Sequence, residues 1–363
     1  MPLATELTEP MIQRSTLYGN AEERLELLRS VQALAEGMRE LRGPIGIEEF
    51  IALTSEMAEM PRLAQHMELV GRHDGETPWS ESEHMENAVD DLQDEVVEEI
   101  WDRQSKADLA PLAKWARSVS SDDTILTFNY DTLAEDALRL AKHTIDLGFT
   151  QASRGLRVLK LHGSIDWITV SRDLEPSVSW VETLFQKVDR NADRRKPRKS
   201  GEVEYDIKTL RVTDREQLDQ KIRNRAMQWS NSAYQFGIAR LGPNKPLHEI
   251  PGLGSVWINA LNALFHAKQI IPIGFSFSEY DVFARLQMLR VMQGRRKQSY
   301  EPRVTVVDPG CGNEEFKKRV NALFKSVSWE PTSHQDVDWP KLLGANGVKE
   351  SSGDLPSTIA DAE

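Results

Sequence analysis

The chain has 363 residues, 39% hydrophobic and 28% charged, with a formal net charge of −12, which suits a globular protein of about two domains' length. Its one cysteine, Cys311, excludes an internal disulfide and any site of CxxC pairs, and its eight histidines show no HExxH, so no metal is expected. No apolar run reaches the ~18 to 20 residues of a membrane helix, the start "MPLATELTEP" lacks a leader pattern, and the acidic balance opposes a broad nucleic-acid-binding face. A cytoplasmic location and no membrane association are therefore expected.

In chain order, residues 20–40 read as a helix, with Asn20 and Glu23 as its cap signature and Leu27, Val31, Leu34 and Met38 on one face. Helical patterns follow over 47–57 and in the acidic stretch 85–103, so the first 120 residues are expected to be largely helical. The character then changes. "TILTF" (124–128), "RVLKL" (157–161), "QIIPIG" (269–274) and "RVTVVD" (303–308) are short β-rich runs, and "SVSWE" (326–330) is a weaker fifth. Helical patterns over 132–142, 279–293 and 313–325 follow the first, third and fourth of these. Apolar strands alternating with helices predict an α/β fold with a Rossmann-like parallel sheet covered on both faces.

Residues 168–256 form a polar stretch without clear alternation and are expected to be an insertion. Within it, "RNADRRKPRKSG" (190–201) reads as a solvated basic loop, with a phosphate- or partner-binding tether as the alternative. "PGLGSVW" (251–257) contains GxG but no strand precedes it and Trp257 stands where a third glycine is needed, so a turn ahead of a sheet-docking helix is expected. The tail over 344–363 has a disordered composition.

Each clear strand ends on polar groups: Asn129 and Asp131, then His162, Gly163 and Ser164, then Gly274 and Ser276, then Asp308. In a parallel sheet these ends point one way and can share a crevice. Simpler roles compete. Asp131 can be a helix N-cap, Thr132 with Glu135 and Ser278 with Asp281 have capping-box spacing, and His162 can be a satisfied core histidine.

Together "TFNYD", "KLHGSIDW", "IGFSFSEYD" and "VTVVD", in that order, resemble the sirtuin (silent-information-regulator-like) superfamily, specifically its bacterial anti-phage defence branch. The resemblance implies one NAD-binding domain over 1–343: a helical region 1–120, Rossmann-like strands over 124–167 and 257–330, and the insertion 168–256. It implies NAD as substrate, cleaved between nicotinamide and ribose. The zinc-binding cysteines of the deacylating members have no counterpart here, which favours the branch that hydrolyses NAD outright to ADP-ribose and nicotinamide.

Departure of nicotinamide develops oxocarbenium character at the ribose, so a site must hold the sugar and position a water. By resemblance, Asn129 orients the ribose and the water, and His162 is the base toward a water or ribose hydroxyl. Asp131 matches a carboxylate on the nicotinamide side. Gly163 and Ser164 follow the histidine, Gly274 and Ser276 match the GxS against phosphates and ribose, and Asp308 stands where an adenosine-ribose contact is expected. Family members open with a strand and a GAGxS loop, yet no glycine precedes Gly19. The chain is therefore expected to lack that phosphate-cradling loop and to be impaired, with the native start upstream. A non-enzymatic NAD- or ADP-ribose-binding module is the second reading, and a zinc-free deacylase the third. Regulation by homo-oligomerisation, or by a separately encoded partner such as a helicase-like ATPase, is also implied.

Overall fold

A computed structural model describes residues 96–149, 155–171, 185–187, 207–212, 234–239, 250, 252–275, 277 and 281–343. The expected helices at 20–40 and 47–57, the basic stretch 190–201 and the tail after 343 lie outside these residues. The chain divides into two compact units, residues 1–103 with 239–246, and 104–238 with 247–363. In the first, 96–103 are helical within the acidic stretch, with Val96, Val97 and Ile100 buried and the Arg103 guanidinium donating to Glu99 at 2.7 Å.

The second unit carries the parallel strands. β1 (Thr124–Thr127), β2 (Ile145–Asp146) and β3 (Leu156–Lys160) form one three-stranded sheet, β3 central and parallel to both neighbours. After four intervening strands, β8 (Gln269–Ile270), β9 (Arg303–Val307) and β10 (Val327–Glu330) form a second parallel sheet with β9 central. The single expected sheet is thus seen as two parallel ones, and no pairing joins them among the described residues.

Side-chain alternation nevertheless sends both sheets into the same two cores. Leu126, Ile270, Val304 and Val306 enter one with Phe277, Met288, Met292, Phe316 and Val320, whereas Ile125, Val158, Ile271 and Val307 enter the other with Trp115, Leu138 and Trp339. Helices accordingly cover both faces, as a parallel sheet requires. They are α1 (Ala110–Ser118), α2 (Leu133–Leu140), α3 (Leu253–His266), α4 (Val282–Lys297), α5 (Glu314–Leu323) and α6 (Trp339–Leu343). The helices expected after the first, third and fourth strands are α2, α4 and α5. Cys311 lies buried in the first core, and burial pushes its thiol up, which suits packing rather than reactivity.

The polar stretch holds structure that its pattern did not announce. β4 (Gly163–Ser171), β5 (Phe185–Lys187), β6 (Ile207–Val212) and β7 (Tyr234–Ile238) make an antiparallel sheet in the order β5-β6-β4-β7. β4 starts directly after His162, so this sheet grows out of the end of β3. Gly163 makes that exit possible: its φ is 80°, and a Cβ there would meet the Gly237 carbonyl oxygen at 1.9 Å. The register of β4 on β7 shifts between Gly163 and Ile168, the irregularity that a strand needs to bend away from one sheet into another. Among the described residues no helix is long and apolar enough to cross a membrane.

Candidate functional site

Parallel pairing of Thr127 with Lys160 sets the ends of β1 and β3 side by side, so the residues after them are neighbours. The turn after β1 is held from below. Lys160, with none of its side chain exposed, forms an ion pair with Glu135 of α2 at 2.9 Å and donates to the Asp131 carbonyl. Burial pushes the Glu135 carboxyl up, with Lys160 opposing and Asp166 adding to the shift. The Tyr130 carbonyl accepts from the Ile165 N–H at 3.0 Å and from the Ser164 hydroxyl at 3.4 Å, and the Thr132 N–H donates to the Gln104 side chain at 3.0 Å. These ties fix the backbone of 130–132 and leave Asn129, just before it, exposed to solvent.

Asp131 is buried one residue before Thr132, the N-cap of α2, and its Oδ1 accepts the Leu133 N–H at 3.0 Å in a local turn; it is thus not the N-cap weighed against a ligand role. Its Oδ2 is buried and accepts no hydrogen bond among the described residues. The expected Thr132–Glu135 capping box does not form. Glu135 turns to Lys160, and the Thr132 hydroxyl donates to Asp136 at 2.7 Å.

His162 sits in the turn between β3 and β4 and is buried, with Phe128 edge-on at 5.0 Å and Tyr130 stacked at 5.9 Å between ring centres. Its Nε2 lies 3.3 Å from Oδ1 of Asp281, the residue before α4; the two side chains are 5% and 10% exposed. As the N-cap residue of α4, Asp281 makes no side-chain capping hydrogen bond; Ser278, the other half of the expected capping box, lies outside the described residues. Trp257 of α3 donates its indole N–H to the Leu161 carbonyl at 2.9 Å, which anchors the turn just before His162. The docking helix expected after 251–257 is present as α3, but it begins at Leu253, inside the stretch read as a turn, after Gly252 at φ 82°.

The end of the third strand comes to the same place. Phe275 stacks on Phe128 at 4.5 Å, and the Gly274 N–H donates to the Val307 carbonyl at 3.1 Å, next to Asp308. Gly274 is exposed and adopts φ 58°, and among the described residues no heavy atom lies within 4 Å of the position a Cβ would take. Phe277, bulky and yet at φ 51°, is a strained position held by packing on Phe275, Phe316 and Phe324. Ser276 lies outside the described residues. Asp308 is half-buried, and its Oδ1 accepts the Gly310 N–H at 2.6 Å, capping the turn at Pro309–Gly312.

Asn129, His162 and Gly274 thus gather at one end of the parallel strands, linked through Phe128 and Phe275. Ser164 and Asp131 support that end from within, and Asp308 closes the neighbouring turn. Sequence reasoning missed Asp281 as the partner of His162 and Lys160 as the ion-pair centre. The second had a visible signal, since a lysine inside "RVLKL" must find an acid when the strand is buried.

Parallel strands covered by helices on both faces, with polar residues gathered at their carboxyl ends, define a Rossmann-like α/β protein. Residues 123–197 match the family model described as a SIR2-like domain, a family that uses NAD. The match takes in Asn129, Asp131, His162, Gly163 and Ser164. No curated protein matches the sequence.

Proposed function

We propose that the chain binds NAD at this strand end and hydrolyses its nicotinamide–ribose bond to ADP-ribose and nicotinamide. The observation that carries the reading is His162, buried between the rings of Phe128 and Tyr130 and facing a carboxylate, within the SIR2-like segment and beside an exposed Asn129. Asn129 offers both a donor and an acceptor for the ribose hydroxyls and an attacking water. His162, neutral, accepts a proton from that water or hydroxyl as positive charge builds at the sugar. The open, left-handed backbone at Gly274 suits close approach by a phosphate or ribose, and Oδ2 of Asp131 remains for the nicotinamide side. Asp308 can meet the adenosine ribose only by sharing the carboxylate that caps Gly310.

The defence setting, in which NAD depletion aborts infection, rests on the resemblance of the four motifs, as does control by a homo-oligomer or a helicase-like ATPase partner. Incubating the purified chain with NAD and following nicotinamide by chromatography tests the reaction. Asn129→Ala and His162→Gln should each lower turnover by at least roughly 10²-fold while the circular dichroism spectrum is kept. Saturable NAD binding without nicotinamide release would instead make the chain a binding module. Turnover unchanged in both variants would place the chemistry elsewhere.

A further inference from the structure

We propose that Asp281 is the positioning residue of His162, holding its imidazole as the Nε2–H tautomer so that Nδ1 is the basic nitrogen. The inference deepens the hydrolase reading and rests on it for its kinetic consequence. Three observations converge. The carboxylate stands 3.3 Å from Nε2, and both side chains are almost wholly removed from water, where a hydrogen bond to a carboxylate is strong. The ring is boxed by the edge of Phe128 and the face of Tyr130, which restricts rotation about the side-chain bonds. Asp281 immediately precedes α4 and gives that helix no side-chain cap as its N-cap residue, while its Oδ1 stands against the imidazole.

The tautomer follows from the chemistry. A carboxylate accepts hydrogen bonds and cannot donate, so the nitrogen that faces it carries the proton. The other nitrogen then holds the lone pair, as a general base requires.

The test labels the full chain with ¹⁵N-histidine and assigns the His162 ring signals by comparison with His162→Gln. The wild type should show one tautomer, protonated at Nε2, near neutral pH. Asp281→Ala should show mixed tautomers, and in the NAD assay kcat should fall roughly 10²- to 10⁴-fold with KM changed less than about threefold. Asp281→Glu should recover part of both. If the alanine variant does not fold, Asp281→Asn carries the same measurement at equal size. An unchanged His162 signature in the neutral variant, or an unchanged kcat, overturns the assignment. A wild type that releases no nicotinamide but shows the Nε2–H signature, lost on substitution, sinks the hydrolase reading and leaves the positioning role intact.

Discussion

Lys160→Met tests the ion pair under the turn after β1. Lys160 Nζ and Glu135 Oε1 are 2.9 Å apart, with 0% and 3% of the side chains exposed. At an effective dielectric constant of ~20 their attraction is worth about 6 kcal/mol before desolvation is subtracted. Removing the lysine alone leaves a buried carboxylate without its counter-ion and the Asp131 carbonyl without that donor. A loss of about 3 to 5 kcal/mol in unfolding free energy is expected, a large share of an ordinary domain's 5 to 15. The double variant Lys160→Met with Glu135→Leu removes both charges and should recover most of the loss, landing within about 1 kcal/mol of the wild type. Urea unfolding followed by circular dichroism gives all four corners of the cycle. NAD turnover supplies a second readout, because the double variant still lacks the tie to Asp131 and should stay impaired. A single-variant loss below about 1 kcal/mol, or a double variant as unstable as the sum of the singles, refutes the reasoning.

Gly163→Ala forces a Cβ to within 1.9 Å of the Gly237 oxygen at φ 80°, so the thermal midpoint should fall by about 10 °C or the chain should fail to fold; a fall under about 2 °C would show that β7 can shift. Glu135 has its carboxyl raised above 4.5, so its stabilising contribution is fully present below pH 4.5 and is lost as pH rises through the folded value. Glu135→Gln, which does not titrate, should therefore gain on the wild type in unfolding free energy from pH 4.5 toward 7, whatever its absolute stability; a constant difference contradicts this. Arg295, buried, donates to the carbonyls of Phe265 and Ala267 at 2.9 and 2.6 Å and closes the end of α3 ahead of β8. Arg295→Met should cost about 2 to 4 kcal/mol by urea unfolding, and a cost below about 0.5 would mean that water replaces the guanidinium.

The parallel strands were legible because each is a short apolar run bounded by polar residues, and the helices after them because their apolar positions recur at helical spacing. The antiparallel sheet of β4 to β7 was not. β4 continues straight from the polar turn "HGSIDW" without a break in hydrophobic pattern, and β5 to β7 are separated by long polar stretches, so no local period announces them. The pairing that stabilises these strands is non-local, as in Trp167 opposite Arg211, and such pairing leaves little trace in any one window.

At the site, residue types could be read but partners could not. Ser278 and Asp281 have the spacing of a capping box, and a rule that sees four residues at a time must assign the carboxylate to its own helix. What such a rule cannot see is His162, 119 positions earlier, brought within 3.3 Å by the convergence of two strand ends. For Glu135 the rule is overridden outright, since its capping spacing with Thr132 gives way to a lysine on the neighbouring strand. There a buried cation claims an acid that local sequence would have spent on a helix end, because an unpartnered charge in the interior costs more than an uncapped N–H near the surface. An acid with a capping signature near a glycine-rich strand end is therefore worth testing against every buried histidine or lysine the topology can bring to it, before its helix is given the claim.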